Sequence, residues 1–155
     1  MSRRNYARCT DLFTVSWMAD RGVAITALAV SDDGECIAAA GSDGTAFVYR
    51  KTNCRWGVSP LLLEGHTEAV TCVGFKPKQQ RFVATGSRDT TIRVWCCSTG
   101  SCLQIMSPHT QRVSGIHWLL HCPAPPFQHG VVMSPLVASA TNRSMNMILS
   151  TSWDM

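Results

Sequence analysis

The chain has 155 residues, 45% of them apolar and 15% charged, with 14 Lys and Arg against 10 Asp and Glu for a net charge of +4. This is enough apolar material for the core of one ordinary domain, and it excludes a wholly disordered chain. The cations are spread along the sequence instead of gathered in blocks, which argues against direct nucleic-acid binding through a dense basic surface.

Residues 1–20 read as a lead-in with room for the last strand of a preceding unit. The start, MSRRNYARCTDLF, carries arginines with no continuous apolar stretch behind them, and no apolar run approaches the roughly 18 residues that cross a bilayer. The expectation is a soluble intracellular protein, cytoplasmic or nuclear, without a membrane partner. From Ala24 to Tyr49 the segment AITALAVSDDGECIAAAGSDGTAFVY runs in step with AVTCVGFKPKQQRFVATGSRDTTIRVW, Ala69 to Trp95, with one gap. Ile25, Val70 and Val113 open three equivalent segments 45 and 43 residues apart. A period of about 40 to 45 residues is that of a four-stranded propeller blade.

In the middle unit VTCVGF from Val70, RFVATGS from Arg81, TIRVWC from Thr91 and CLQIM from Cys102 are short β-branched and aromatic runs that predict strands. Turns fall at Lys76-Pro77-Lys78, Arg88-Asp89 and Ser98-Thr99-Gly100, so the connections are hairpins and the unit an antiparallel meander. Small apolar residues (Ala38, Ala39, Ala40, Ala84) stand where strict alternation with charges would otherwise be expected, as in strands covered on both faces. The expected fold is all-β: a divergent blade over 21–64, a well-formed blade over 65–107, and a truncated blade over 108–155 with an insertion at about 122–147. Two and a half four-stranded blades cannot close a ring that takes about four to eight. The remaining blades are expected from a longer chain or another protomer.

LEGHTEAV followed by GSRDTTIRVW resembles the WD-repeat family of β-propellers. The resemblance implies a structural tetrad of a loop His, a second-strand Ser or Thr, a tight-turn Asp and a third-strand Trp, here His66, Thr85, Asp89 and Trp95. A buried carboxylate must be paired or fully hydrogen-bonded, so Asp89 accepting from His66 would pin the outer loop to the turn. The flanking units carry partial tetrads. Asp43 and Tyr49 stand in the first, where Ala39 replaces the hydroxyl and Arg21 falls near the expected His. His109, Ser150 and Asp154 stand in the third.

From Val113 to Asp154 there are 41 residues against 19 from Val70 to Asp89. The excess is the insertion, with Pro123, Pro125, Pro126 and Pro135, little turn regularity and expected mobility. Val113 to Asn142 holds no Asp, Glu, Lys or Arg, and VVMSPLVASA reads as either a buried extra strand or a recognition segment.

No nucleophile elbow, zincin, phosphate-loop or dinucleotide motif occurs, so catalysis is not expected. The eight cysteines include no C-x-x-C pair and read as free thiols of a reducing compartment. His117, His121, Cys122 and His129 have some ligand character. However, His117 falls on a predicted strand, where spacing of four does not share a face, so neither metal nor cofactor is expected.

The resemblance implies a scaffold that binds protein or peptide partners through loops on one propeller face. Its contact positions carry over to Ala69, Thr71 and Arg88 in the middle blade and to Arg112, Ser114 and Trp153 in the third. By looser alignment they are Ala24, Thr26 and Ser42 in the first. Thr71, Arg88, Arg112 and Trp153 are the candidate partner-binding residues, and two cations with an aromatic suit an acidic or phosphorylated partner. A weaker likeness to bromodomain-and-WD-repeat proteins suggests a second reading, a chromatin-associated adaptor for acidic or modified partners.

Overall fold

A computed structural model of the chain describes residues 22–52, 55–56, 59–119, 131–135 and 147–152. Within them the regular elements are strands, and no helix is long and apolar enough to cross a membrane. The first sheet contains β1 (Ile25–Val30), β2 (Cys36–Gly41), β3 (Ala46–Thr52), β4 (Arg55–Trp56) and β5 (Leu61–Leu63). Its long third strand takes two partners. Ala46 to Val48 pair with β5, and Lys51 and Thr52 pair with β4. The second sheet is a plain antiparallel meander, β6 (Val70–Phe75), β7 (Phe82–Ser87), β8 (Ile92–Cys96) and β9 (Cys102–Met106), in that order.

The turns carry the chemistry that makes the hairpins. Asp33 Oδ1 accepts from the Glu35 amide at 2.9 Å and the Ser31 hydroxyl at 2.6 Å, while Gly34 takes the left-handed backbone at φ 70°. Gly44, at φ 87°, is confined further, because a Cβ there would lie 2.7 Å from the His66 carbonyl oxygen. Thr90 holds the equivalent left-handed position in the second blade, at φ 71°.

The sheets pack side by side as blades of an open, incomplete ring, and their cores lie between blades. Cys36, Ala38, Ala46, Val48 and Leu63 of the first blade meet Phe75, Val83, Trp95 and Cys97 of the second. Ala84, Ile92 and Val94 of the second meet Val113, Ile116 and Ile148 of the third. The alanines are buried because neighbouring sheets approach over them, which leaves no room for larger side chains.

Each inner strand opens with the same β-bulge. The register slips between Ile25↔Gly41 and Ala27↔Ala40, between Val70↔Ser87 and Cys72↔Gly86, and between Val113↔Ser152 and Gly115↔Thr151. The unpaired residues are Thr26, Thr71 and Ser114, and a bulge re-aims the side chain it carries. The Thr26 hydroxyl shares its proton between Ala40 O of its own blade and Val70 O of the next. Thr71 does the same with Gly86 O and Val113 O, and Ser114 donates to Thr151 O at 3.1 Å.

The third sheet differs from the sequence expectation. It holds β10 (Val113–Leu119), β11 (Val131–Pro135) and β12 (Met147–Ser152), but in the order β10-β12-β11. The insertion as a whole is expected to be irregular, but Val131–Pro135, from the stretch read as either an extra strand or a recognition segment, is a strand paired antiparallel to β12 from Val131↔Thr151 to Pro135↔Met147. The reason is local: Val131, Val132 and Met133 have strand propensity and face an edge that would otherwise leave backbone donors and acceptors unpaired. Residues 1–21, the rest of the insertion and residues 153–155 lie outside the described residues.

Candidate functional site

His66 sits in the loop between β5 and β6, Thr85 on β7, Asp89 in the β7–β8 turn and Trp95 on β8, and the fold brings the four together. His66 Nδ1 lies 2.8 Å from Asp89 Oδ2, and His66 Nε2 lies 2.8 Å from Thr85 Oγ1. The Trp95 indole N–H donates to the same Thr85 oxygen at 2.8 Å. Asp89 collects further donors: the Thr67 amide at 3.1 Å on Oδ2, and the Thr91 amide at 2.9 Å and hydroxyl at 2.6 Å on Oδ1. Thr85 and Trp95 are essentially inaccessible, and His66 is buried with them.

The proton order follows from counting donors. Thr85 already accepts from Trp95, so its own proton goes to His66 Nε2; His66 then donates from Nδ1 to the Asp89 carboxylate. That order requires a neutral imidazole. Burial holds the His66 ring below its ordinary value, and the hydrogen bond and charge of Asp89 offset this only in part. For Asp89 burial pulls the other way, but the Thr91 and His66 hydrogen bonds outweigh it and leave the carboxyl lowered.

A pH dependence follows. The unfolded histidine takes up a proton more readily than the folded one, so its stabilising contribution is complete above about pH 6.5 and declines as pH falls below that value. The Asp89 contribution persists to lower pH and is lost only as pH falls through its depressed folded value. Thermal melts between pH 8 and 5 should show the midpoint of the native chain dropping more than that of a His66→Ala variant. Parallel curves would count against a neutral His66.

The partial networks stop at identifiable residues. In the first blade Asp43 Oδ1 accepts from the Thr45 amide at 3.0 Å and hydroxyl at 2.6 Å, as Asp89 does from Thr91. Tyr49 is buried opposite Ile37, the ladder place Trp95 holds opposite Val83. But Ala39 stands in register where Thr85 stands, so no hydroxyl links indole and imidazole positions there, and Arg21 lies outside the described residues. In the third blade His109 Nε2 lies 2.8 Å from Ser150 Oγ, repeating the His66–Thr85 link. Asp154 and Trp153 lie outside the described residues.

Beside the His66 network, Glu68, Arg88, Thr90, Thr110, Gln111 and Arg112 line an open cleft of about 580 Å³ between the second and third blades. Its walls are tied down. The Ser87 hydroxyl engages the Glu68 and Ala69 carbonyls and accepts from the Asp89 amide, and the Arg88 amide donates to Ala69 O at 3.0 Å. The Ser152 hydroxyl donates to Arg112 O at 2.9 Å. Thr71 is half-buried, its hydroxyl engaged between blades as described above. Of the looser positions, Ser42 accepts from the Ala24 amide at 3.1 Å.

Sequence reasoning missed Glu68, Thr90, Thr110 and Gln111, whose loops converge only once two blades pack. It also missed Ser87, although a Ser two residues before an Asp in a turn is a local signal for its bond to the Asp89 amide. Arg93 was missed as well. Its guanidinium lies 5.9 Å from the Trp95 ring centroid, and its buried Nε has no hydrogen-bond partner. Among the described residues no cluster of His, Cys, Asp and Glu is suited to a metal.

Compared with known families, residues 14–50 and 57–96 match the WD40 model, described as WD domain, G-beta repeat. The chain belongs to the WD-repeat family. It is 43% identical over 54 residues to pre-mRNA-processing factor 19 of Bos taurus, covering 35% of this chain and 10% of that protein. It is 26% identical over 106 residues to the denticleless protein homolog of Danio rerio, covering 59% of this chain and 16% of that one. The WD40 repeats of RRP9 superpose with a TM-score of 0.52 at 20% identity, over 59% of this chain and 27% of that chain, a likeness of fold. This WD-repeat chain thus spans a small part of the relatives it matches. The matches support the WD-repeat family as a whole; the weaker likeness to bromodomain-and-WD-repeat proteins draws no support from them. WD-repeat proteins generally mediate protein–protein interaction and assembly and are typically non-catalytic scaffolds.

Proposed function

We propose that this WD-repeat chain is a non-catalytic scaffold, part of a larger propeller. It would bind a protein segment bearing acidic or phosphorylated side chains in the cleft between its second and third blades. The observation that carries this reading is the pair Arg88 and Arg112, both exposed and both lining one cleft of about 580 Å³. Guanidinium groups match carboxylates and phosphates bidentately, and Glu68 on the same wall offers an acceptor for a partner amide or cation. The His66 network serves the cleft indirectly, because Asp89 lies between Arg88 and Thr90 and its bonds hold that turn. Thr71 supports the cleft by tying β6 to β10, and the resemblance assigns Trp153 to the same rim as an aromatic contact. Non-catalytic character is supported by the inward, mutually satisfied state of His66 and Asp89. An intracellular setting is supported by relatives such as pre-mRNA-processing factor 19 and a probable cytosolic iron-sulfur protein assembly protein CIAO1 homolog of Caenorhabditis elegans.

The test is an array of acidic and phosphoserine peptides, with hits titrated by fluorescence anisotropy. Arg88→Glu and Arg112→Glu should each weaken a genuine hit by about tenfold or more, with a steep loss of affinity at raised salt. Hits that bind both variants as well as the native chain would sink the proposal.

A further inference from the structure

The fold half-buries Arg93 without giving its guanidinium an acceptor. Nε is sealed from solvent and makes no hydrogen bond, and among the described residues no carboxylate or carbonyl bonds to the rest of the group. Its neighbours are the Trp95 ring, with the centroid 5.9 Å away, and the exposed Gly65, where a Cβ would lie 2.5 Å from Nη1. Packing alone does not call for a cation here. In the first blade the matching ladder place, opposite Ala39 as Arg93 is opposite Thr85, belongs to Phe47, which is wholly buried and packs with its cross-strand partner Leu62. A buried donor without an acceptor costs free energy that an apolar ring in the same place does not. The cross-strand partner of Arg93 is Ile105 on β9, so the two side chains share a face of the sheet. Ile105 is 54% exposed, and so is Leu103, the residue left over by the register slip between Val94↔Gln104 and Trp95↔Cys102. β9 is the outermost strand of its sheet. Ile92 and Val94, on the other face of β8, pack toward the third blade, the side on which the cleft at Arg88 and Arg112 opens.

We propose that Arg93, Ile105 and Leu103 form a second docking site, on the outer part of the second blade, for an extended segment of a partner protein that carries one Asp or Glu beside Leu, Ile or Val. The carboxylate takes the bidentate place on the guanidinium and supplies the acceptor that the fold withholds. The apolar side chains of the segment cover Ile105 and Leu103, which water otherwise wets. Charge balance selects a carboxylate over a phosphate. One half-buried guanidinium offsets one negative charge, and the exposed Glu64, next to Gly65, repels the second charge that a phosphate brings. The apolar pair in turn selects against a ligand that is acidic throughout, because such a ligand would leave both side chains uncovered or set charges against them.

The experiment titrates the 155-residue chain into a fluorescein-labelled peptide, Ser-Leu-Thr-Leu-Thr-Glu-Ser, followed by fluorescence anisotropy. One control peptide replaces Glu by Gln, and the other replaces both Leu by Ser. The native chain should bind the first peptide about tenfold more tightly than either control. Arg93→Gln should abolish the preference for Glu over Gln. That preference, and not affinity alone, is the readout, because Arg93 also lies against Trp95 and its loss can soften the blade. Leu103→Ser combined with Ile105→Ser changes only exposed positions; it should weaken the first peptide by about tenfold and leave the thermal midpoint unchanged. Arg88→Glu, in the cleft, should bind the peptide as the native chain does. No binding of the first peptide by the native chain, equal affinity for the Glu and Gln peptides, or a Glu preference that survives Arg93→Gln would overturn the proposal. Binding lost with Arg88→Glu and kept with Arg93→Gln would also overturn it and place the peptide in the cleft, so the two sites can fail independently.

Discussion

Trp95→Ala is expected to cost about 3–5 kcal/mol of folding stability, the range for truncating a large aromatic in a packed core. Trp95 is 1% exposed and lies among Leu63, Phe75, Val83 and Cys97, so the cavity would open at the contact between two blades, where neither sheet can close it alone. The same change removes the donor to Thr85 Oγ1, the ring under the Arg93 guanidinium, and the edge contact with His66, whose ring centroid lies 6.3 Å away. Chemical denaturation followed by circular dichroism provides the check. Trp95→Phe keeps most of the volume and loses the N–H, so it should cost clearly less. If the two variants fell equally, the hydrogen bond and not the packing would be the main contribution of this residue.

The second large effect is His66→Ala, with an expected loss of about 1 to 3 kcal/mol. The magnitude can be argued group by group. Asp89 would lose one donor of four and keep the Thr67 amide and both Thr91 groups, so its charge stays solvated by the protein. Thr85 fares worse: it would keep the proton from Trp95 but have nowhere to send its own, in a site with no access to water. Most of the penalty should therefore fall on Thr85, and Thr85→Val in the His66→Ala background should cost less than it does in the native chain. An additive double mutant would mean that the two side chains do not act as a unit.

Much of this architecture is legible in the chain. The strands of the middle blade are bounded by turn residues, and the 45- and 43-residue spacing of Ile25, Val70 and Val113 aligns the repeats on residue types alone. His66, Thr85, Asp89 and Trp95 can be named because they stand at the positions of the motif that the family resemblance implies. What stays hidden depends on contacts between repeats. The cleft exists only because the loop at Thr110 to Arg112 falls beside the turn at Arg88 to Thr90, and no local pattern encodes that approach. Arg93 reads as an ordinary exposed strand residue until the fold sets it beside the Gly65 loop and over the Trp95 ring. The insertion is legible as an excess of length, but strand pairing is a choice among edges, and sequence pattern alone does not say that Val131 to Pro135 would choose β12.

The repeated bulge at Thr26, Thr71 and Ser114 bears on how the arc comes apart. Each of the two steps between the three blades is stitched by a hydroxyl reaching one carbonyl of the next inner strand, and the second step also by the Trp118 indole N–H donating to Gly74 O at 2.9 Å. Stability in such an array is a sum of blade terms and nearest-neighbour terms, so unfolding spreads by losing neighbours one at a time. Among the described residues the middle blade is held on both sides, so in the 155-residue chain taken by itself the first and third blades should open at lower free energy than the middle one. The most slowly exchanging amides should belong to β6 and β7, the strands whose backbone is committed to their own sheet while their side chains pack against both neighbours.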